Sequence, residues 1–224
     1  NVKFESVKNR VWDGKKQYID GPEDTINTWV QGRIYSGTEQ REALAVNFPT
    51  TRDKTLVGNE RDGLQKQPFF EKPKPQYQEY QPSAFIHMRK SCKGDGKSDD
   101  TACFQKVLDN AGSSSVVFVD SGTYMVSDTI TVPKDVKIVG EAWSQVAAFG
   151  SKFADAKNPR PLFKVGVPDE IGNVQMQDLL FTNKGNTPGV VFVEWNVRAA
   201  SPGAAGMWDC HVRVGGAVGT ELES

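Results

Sequence analysis

Apolar positions in the second half of the chain fall into runs about four residues long, Val116-Val117-Phe118-Val119, Thr123-Tyr124-Met125-Val126, Thr129-Ile130-Thr131-Val132 and Val136-Lys137-Ile138-Val139-Gly140. β-Branched and aromatic residues dominate them, and Asp, Ser, Gly or Pro separates them, so each predicts a short strand. The runs are too closely spaced for a βαβ sheet, whose crossovers need a dozen or more residues. After a looser region containing Trp143, Phe149 and Phe153, similar runs return at Leu162-Phe163-Lys164-Val165, Val174-Gln175-Met176, Leu179-Leu180-Phe181, Val190-Val191-Phe192-Val193 and His211-Val212-Arg213-Val214. Stacked turns of a solenoid fit this pattern, because each rung pairs its backbone with the next while apolar residues fill a continuous core. The predicted fold class is all-β with a short N-terminal helix: a right-handed parallel β-helix, single-stranded and incomplete, preceded by an extended inter-domain segment. Because Gly219-Thr220-Glu221-Leu222-Glu223-Ser224 contains no recognisable cap, the solenoid is expected to continue beyond residue 224.

The helix is predicted from the stretch Lys93-Gly94-Asp95-Gly96-Lys97-Ser98-Asp99-Asp100-Thr101-Ala102-Cys103 and the amphipathic segment after it. Ser98 or Asp99 can cap it, the acidic pair Asp99-Asp100 is expected in its first turn, and Phe104, Val107, Leu108 and Ala111 recur at helical spacing. Gly112 supplies a stop. Gly94 and Gly96 permit a tight bend that a Cβ would resist. Gly94, Asp95, Gly96, Asp99 and Asp100 are therefore predicted to be a structural cap at one end of the strand stack. Gly96-Lys97-Ser98 imitates the end of a P-loop without its spacing, and the EF-hand ligand ladder is absent, so no metal site is expected.

Residues 1–82 differ in texture from residues 83–224, which begin with a predicted entering strand at Ala84-Phe85-Ile86-His87-Met88. Val11-Trp12-Asp13-Gly14 through Tyr18-Ile19-Asp20-Gly21-Pro22 places aromatic anchors between turn formers, and Trp29 to Tyr35 predicts a short strand. From Gly37 to about Gln81 the chain is polar, with Pro49, Pro68, Pro73, Pro75 and, just beyond, Pro82, and with Phe69, Phe70, Tyr77 and Tyr80 between them. A bare linker has little use for those aromatics. An extended arm laid on a neighbouring surface explains both, the prolines lowering its ordering cost.

Charge narrows the partners. The 224 residues carry 27 Lys plus Arg against 28 Asp plus Glu, so no global field points to nucleic acid or to an anionic membrane. No run approaches the length of a membrane-spanning helix, and the polar N-terminus lacks the apolar core of a signal peptide. The three cysteines, Cys92, Cys103 and Cys210, match no zinc spacing; one disulfide with a leftover thiol and three free thiols both remain open.

Two acidic residues flanked by tryptophan are the candidate chemistry: Glu194 in Val193-Glu194-Trp195-Asn196, and Asp209 in Met207-Trp208-Asp209-Cys210-His211. Glycoside hydrolysis needs a protonated carboxyl for the leaving oxygen and a second group to activate water or attack the sugar. Trp195 and Trp208 suit the apolar face of a sugar ring. Glu194, Trp195, Trp208 and Asp209 are therefore substrate-contact candidates, although a carboxylate beside a packing tryptophan is commonly structural. His87 and His211 stand too far apart in sequence to suggest a triad or a histidine-rich metal site.

Several of these motifs match a known pattern. Gly94-Asp95-Gly96-Lys97-Ser98-Asp99-Asp100-Thr101-Ala102 resembles the opening signature of the pectate-lyase-like β-helix superfamily, which tailspikes, lyases and hydrolases share. With Gly122-Thr123-Tyr124, Val139-Gly140-Glu141-Ala142-Trp143-Ser144, Val193-Glu194-Trp195-Asn196 and Gly206-Met207-Trp208-Asp209-Cys210-His211-Val212-Arg213-Val214-Gly215-Gly216, the chain resembles the fungal β-1,3-glucanases of glycoside hydrolase family 55. The resemblance implies two tandem β-helical domains with an active site between them. Residues 1–82 would be the end of the first domain and the linker, and residues 83–224 the opening rungs of the second. It further implies a secreted enzyme that removes glucose from a β-1,3-glucan chain end with inversion and without a cofactor. Its general-acid glutamate is expected beyond residue 224, so the isolated chain is expected to be inactive, with the remainder of the same protein or a nicked companion chain as partner. A non-catalytic carbohydrate-binding or tailspike-like module and a polysaccharide lyase are the alternative readings.

Overall fold

The computed structural model describes residues 2–7, 11–12, 14–15, 17–19, 26–46, 70, 72–216 and 218–222. They divide into two compact units, Asn1–Phe70 and Glu71–Ser224. In the first, the strands are β1 (Val2–Val7), β2 (Val11–Trp12), β3 (Gln17–Ile19), β4 (Ile26–Ser36) and β5 (Glu39–Val46). Strand β4 pairs antiparallel with β1 on one side and β5 on the other, while β2 and β3 form a separate antiparallel pair.

This corrects the expectation of a polar extended arm starting at Gly37. The β4–β5 loop is only Gly37-Thr38, and Gly37 takes φ +60°, the left-handed conformation that lets a two-residue turn follow the strand twist. Tyr35 pairs with Gln40 and Arg33 with Glu42. Residues 35–42 of this hairpin are all exposed. Over residues 35–42 the ladder is held by backbone bonds with no buried side, which leaves little hydrophobic alternation to read there. Pro49, Pro68 and Phe69 lie outside the described residues.

The second unit contains β6 (Phe85–His87), β7 (Asp95–Asp99), α1 (Thr101–Asp109), β8 (Val116–Val119), β9 (Gly122–Val126), β10 (Ile130–Val132), β11 (Lys137–Ala148), β12 (Arg160–Val165), β13 (Gln175–Asn183), β14 (Val190–Trp195), β15 (Gly206–Trp208) and β16 (His211–Val212). Its strand pairings are parallel. Strand β11 pairs with β8 through its first half and with β9 through its second, and β13 follows β11 through both halves. A third wall has the order β10-β12-β14. The sheet thereby curls into an open half-barrel with one short α-helix, an incomplete β-helix-like arrangement. Among the described residues no helix is long and apolar enough to cross a membrane.

Two strands are longer than their sequence runs. The region around Trp143 is the second half of β11, and the runs at Val174 and Leu179 are one strand, β13. In both, a left-handed residue, Ala142 at φ 56° and Asp178 at φ 53°, bends the strand and interrupts alternation. Conversely, His211-Val212 is shorter than the predicted run through Val214.

Inside the curl, rings bridge successive walls. Phe104 of α1 meets Tyr124 of β9 at 5.8 Å and Phe163 of β12 at 5.6 Å, and Phe163 meets Phe181 of β13 at 5.2 Å, all edge-to-face. All four rings are fully buried.

The glycine-rich stretch contains a strand. Asp95–Asp99 is itself a strand, pairing parallel with β9, which keeps the chain extended past the residues expected inside the helix. The acidic pair thus precedes the first helical turn, and Asp100 occupies the N-cap position without a side-chain bond to the helix. Asp100 instead accepts hydrogen bonds from the Lys93 and Gly94 N–H groups, at 2.8 and 2.9 Å. Asp99 accepts from the Thr101 N–H at 2.9 Å, so the local cap comes from Asp99 and not from Ser98. At its far end α1 stops at Asp109, before Ala111 and Gly112, with Asn110 as C-cap. Glycine is required at position 94 on two counts: its φ of 58° lies in the left-handed region, and a Cβ there would meet the Tyr124 ring at 2.9 Å.

Candidate functional site

A line of acidic bends runs across the coils of the second unit. The chain turns at Asp120-Ser121 between β8 and β9, over Gly140–Trp143 within β11, at Asp178 within β13, and at Asp209-Cys210 between β15 and β16. Where Gly140–Trp143 bulges, those residues together face only Asp178 on β13. Asp209, like Asp178, is left-handed, at φ 52°, a conformation that aspartate tolerates better than most residues. Aligned parallel strands place these equivalent bends next to one another, so four carboxylates collect along one corner: Asp120, Glu141, Asp178 and Asp209.

Each carboxylate has a partner. Lys74 Nζ donates to Asp178 Oδ1 at 2.6 Å and to Asp209 Oδ2 at 3.1 Å, clamping consecutive coils. Its ammonium is held above the ordinary lysine range, chiefly by the Asp178 hydrogen bond, with burial opposing. Three residues further on, buried Tyr77 donates from its hydroxyl to Gln175 Oε1 at 2.9 Å and accepts from Gln177 Nε2 at 3.0 Å. Burial pushes that phenol up to about 12. At the other end, Asp120 Oδ1 lies 2.8 Å from His87 Nδ1, and its Oδ2 accepts from the Arg89 N–H at 2.9 Å. Burial pushes the Asp120 carboxyl up, but these bonds outweigh it and hold the group below the usual carboxylate range. Glu141 Oε2 accepts the Ser121 N–H at 2.9 Å, and nearby in the bulge Trp143 is 74% exposed.

Of the sequence candidates, Trp208 and Asp209 belong to this corner, Trp208 half-buried and Asp209 exposed. Glu194 and Trp195 lie on the separate β10-β12-β14 wall. There Glu194 Oε1 accepts from Asn196 Nδ2 at 2.9 Å and faces Lys164 Nζ at 3.8 Å, and Trp195 Nε1 donates to the Val197 carbonyl at 2.7 Å. No hydrogen bond or ion pair joins the two acid–tryptophan pairs among the described residues. The two pairs stand on different sheets, Glu194 and Trp195 on β14 and Trp208 at the end of β15.

The cap residues form their own cluster. Asp95 accepts from the Lys97 and Ser98 N–H groups at 2.9 and 2.7 Å, and the Ser98 and Lys97 bonds hold its carboxyl down to about 2. Gly96, at φ 70°, allows the turn between them. Cys92 and Cys103 form a disulfide with Cα atoms 5.5 Å apart, and Cys210 is a free thiol. The Asp100 carboxylate lies within 4.8 Å of both disulfide sulfurs, but a disulfide offers no thiolate, so this group does not suit a metal ion.

Chemically, carboxylates held below their usual range, such as Asp95 and Asp120, are ionised acceptors and do not serve as proton donors to a leaving oxygen. Trp143, in the β11 bulge, and Trp208, at the end of β15, adjoin these bends. Sequence reasoning missed Lys74, His87, Asp120, Glu141 and Asp178. Their partners stand 104 residues apart for Lys74–Asp178 and 33 for His87–Asp120, so no local motif signals them.

Comparison with known proteins agrees with this architecture. Residues 89–158 match the family described as rhamnogalacturonase A/epimerase, pectate lyase-like, which defines the class as the pectate-lyase-like β-helix superfamily. A probable glucan endo-1,3-β-glucosidase of Arthroderma benhamiae is 46% identical over 156 residues, covering 69% of this chain and 18% of that protein. A non-secreted LysM effector of Penicillium expansum is 41% identical over 207 residues, 91% of this chain and 16% of that protein. A glucan 1,3-β-glucosidase of Cochliobolus carbonum is 35% identical over 227 residues, 100% of this chain and 28% of that protein. The chain thus spans between 16% and 28% of the length of these relatives. Within the superfamily, it belongs with the fungal β-1,3-glucanase homologues of the glycoside hydrolase family 55 type.

Proposed function

We propose that this chain is a section of a secreted fungal glycoside hydrolase acting on β-1,3-glucan. The observation that carries the reading is its 46% identity to a protein named for that linkage, over a stretch covering 69% of the chain. Residues 1–82 act as the end of a preceding β-helical domain and a linker, and residues 83–224 as the first rungs of a right-handed parallel β-helix. Trp208 and Asp209 on the acidic corner, and Glu194 and Trp195 on the separate wall, contact the glucan. The general-acid glutamate is supplied by protein outside residues 1–224, and no cofactor is needed.

In the complete enzyme that glutamic acid protonates the glycosidic oxygen at a chain end, and a water on the opposite face attacks the anomeric carbon, releasing glucose with inversion. The test is digestion of laminarin by the complete polypeptide containing these residues, with products resolved by chromatography and the anomer read by NMR. Glucose appearing first, as the α-anomer, is expected. A ladder of oligosaccharides would replace chain-end action with internal cleavage, an unsaturated product would indicate a lyase, and binding without turnover would indicate a non-catalytic module. The 224-residue chain by itself should release no sugar.

A further inference from the structure

A groove of about 550 Å³ lies in the second unit, away from the acidic bends. Its lining comes from corresponding places on successive strands: Lys97 in β7, Met125 in β9, Phe149–Ser151 after β11, Lys184–Asn186 after β13, and Glu221. Paired strands stand about 4.8 Å apart, so the three steps from β7 to β13 extend the groove by about 14 Å along the stack. Its floor is fixed by backbone bonds. Phe149 N–H donates to the Val126 carbonyl at 3.0 Å, Lys184 N–H to the Ala148 carbonyl at 2.8 Å, and Gly185 N–H to the Thr220 carbonyl at 2.7 Å.

We propose that this groove is a second glucan subsite, holding a β-1,3-linked oligosaccharide across the coils, with the Phe149 ring under one sugar and Asn186, Lys97 and Ser151 bonding its hydroxyls. The choice of β-1,3-linkage rests on the glucan reading above; the carbohydrate class rests on the groove. Phe149 is half-buried and offers an apolar face beside polar groups. That mixture suits a pyranose, which has an apolar face and a rim of hydroxyls. The volume falls in the range of ligand clefts, roughly 300–1,000 Å³, but the lining lacks the enclosing apolar wall of a hydrophobic cofactor site.

Two other occupants fit less well. An extended peptide needs an open strand edge; β9, β11 and β13 are each paired on both sides, and among the lining strands β7, five residues at one end of the groove, has its second side open. For a phosphate, Lys184 is countered by Glu221, with Nζ and Oε1 3.5 Å apart, and the carboxylate would repel the anion. Lys97 Nζ has no hydrogen-bond or ion-pair partner among the described residues and is left to meet neutral hydroxyls.

The probe is laminarihexaose, titrated into the 224-residue chain by calorimetry, with cellohexaose and inorganic phosphate as comparisons. Saturable binding of laminarihexaose is expected, weakened roughly tenfold by Phe149→Ala. Phe149→Leu keeps the buried apolar volume while removing the ring, and should weaken binding similarly; Asn186→Ala, at an exposed position, reports independently of folding. No saturable binding by the parent chain, phosphate binding in its place, or binding unchanged by Phe149→Leu and Asn186→Ala would each overturn the subsite. In the complete polypeptide, the same variants should raise KM for laminarin. If laminarin is hydrolysed with KM unchanged in these variants, the groove fails while the glucan reading stands. If the parent polypeptide neither hydrolyses nor binds laminarin, the glucan reading itself fails.

Discussion

Replacing Phe163 tests whether ring packing holds the walls of the curl together. Phe163 pairs with Ile130 of β10 and Val193 of β14, is fully buried, and meets the rings of Phe104 at 5.6 Å and Phe181 at 5.2 Å. Phe163→Ala removes the ring from a site bounded by paired strands that cannot easily collapse, and is expected to cost about 3–5 kcal/mol. Phe163→Leu retains much of the apolar volume but loses both edge-to-face contacts, each worth roughly 0.5–1.5 kcal/mol, so its expected loss is about 1–3 kcal/mol. Urea unfolding followed by tryptophan fluorescence measures both as a lowered midpoint at constant slope. Val212→Ala, at a position 56% exposed, is the control and should stay within about 0.5 kcal/mol of the parent. A double-mutant cycle of Phe104→Leu with Phe163→Leu isolates the ring–ring term. A loss below about 1 kcal/mol for Phe163→Ala would refute the role of this ring as the bridge between walls.

Two further outcomes concern the charged clusters. Lys74→Met should cost roughly 1 kcal/mol at neutral pH, a small figure because Asp209 is exposed and solvent screens that half of the clamp. The Lys74 pKa is raised by folding, so the clamp is fully present below the ordinary lysine value of 10.5 and lost as pH rises through the higher folded value; urea midpoints of parent and variant should converge there, and equal midpoints at pH 7 would contradict the clamp. Asp95 works in the opposite direction: its folded pKa of about 2 means that its stabilisation is present above the ordinary value of 3.8 and disappears as pH falls through about 2. Asp95→Asn should flatten that part of the acid profile, and an NMR titration placing the carboxyl in the ordinary range would contradict the assigned hydrogen bonds.

Legibility followed the range of the interactions. Runs such as Val116–Val119 and Leu162–Val165 were readable as strands because buried β-branched and aromatic residues announce themselves locally. Phe104, Val107 and Leu108 were readable as the inner face of a helix for the same reason. The hairpin of β4 and β5 was not readable in full, since exposed residues 35–42 satisfy backbone bonds without an apolar face. The continuity of β11 through its bulge was hidden because Ala142 breaks the alternation. Glu194 and Asp209 drew attention through their tryptophans, yet they sit on different walls, which one-dimensional spacing cannot distinguish.

The glycine- and aspartate-rich stretch before α1 marked the start of a strand stack by sequence alone, because left-handed glycines, short apolar runs and helical periodicity are local properties of the chain. The disulfide chosen from three cysteines, the Lys74 clamp, the acidic corner and the groove beside Phe149 were decided by the tertiary structure. Each joins residues from different coils, and only the register of parallel strands brings such residues within bonding distance.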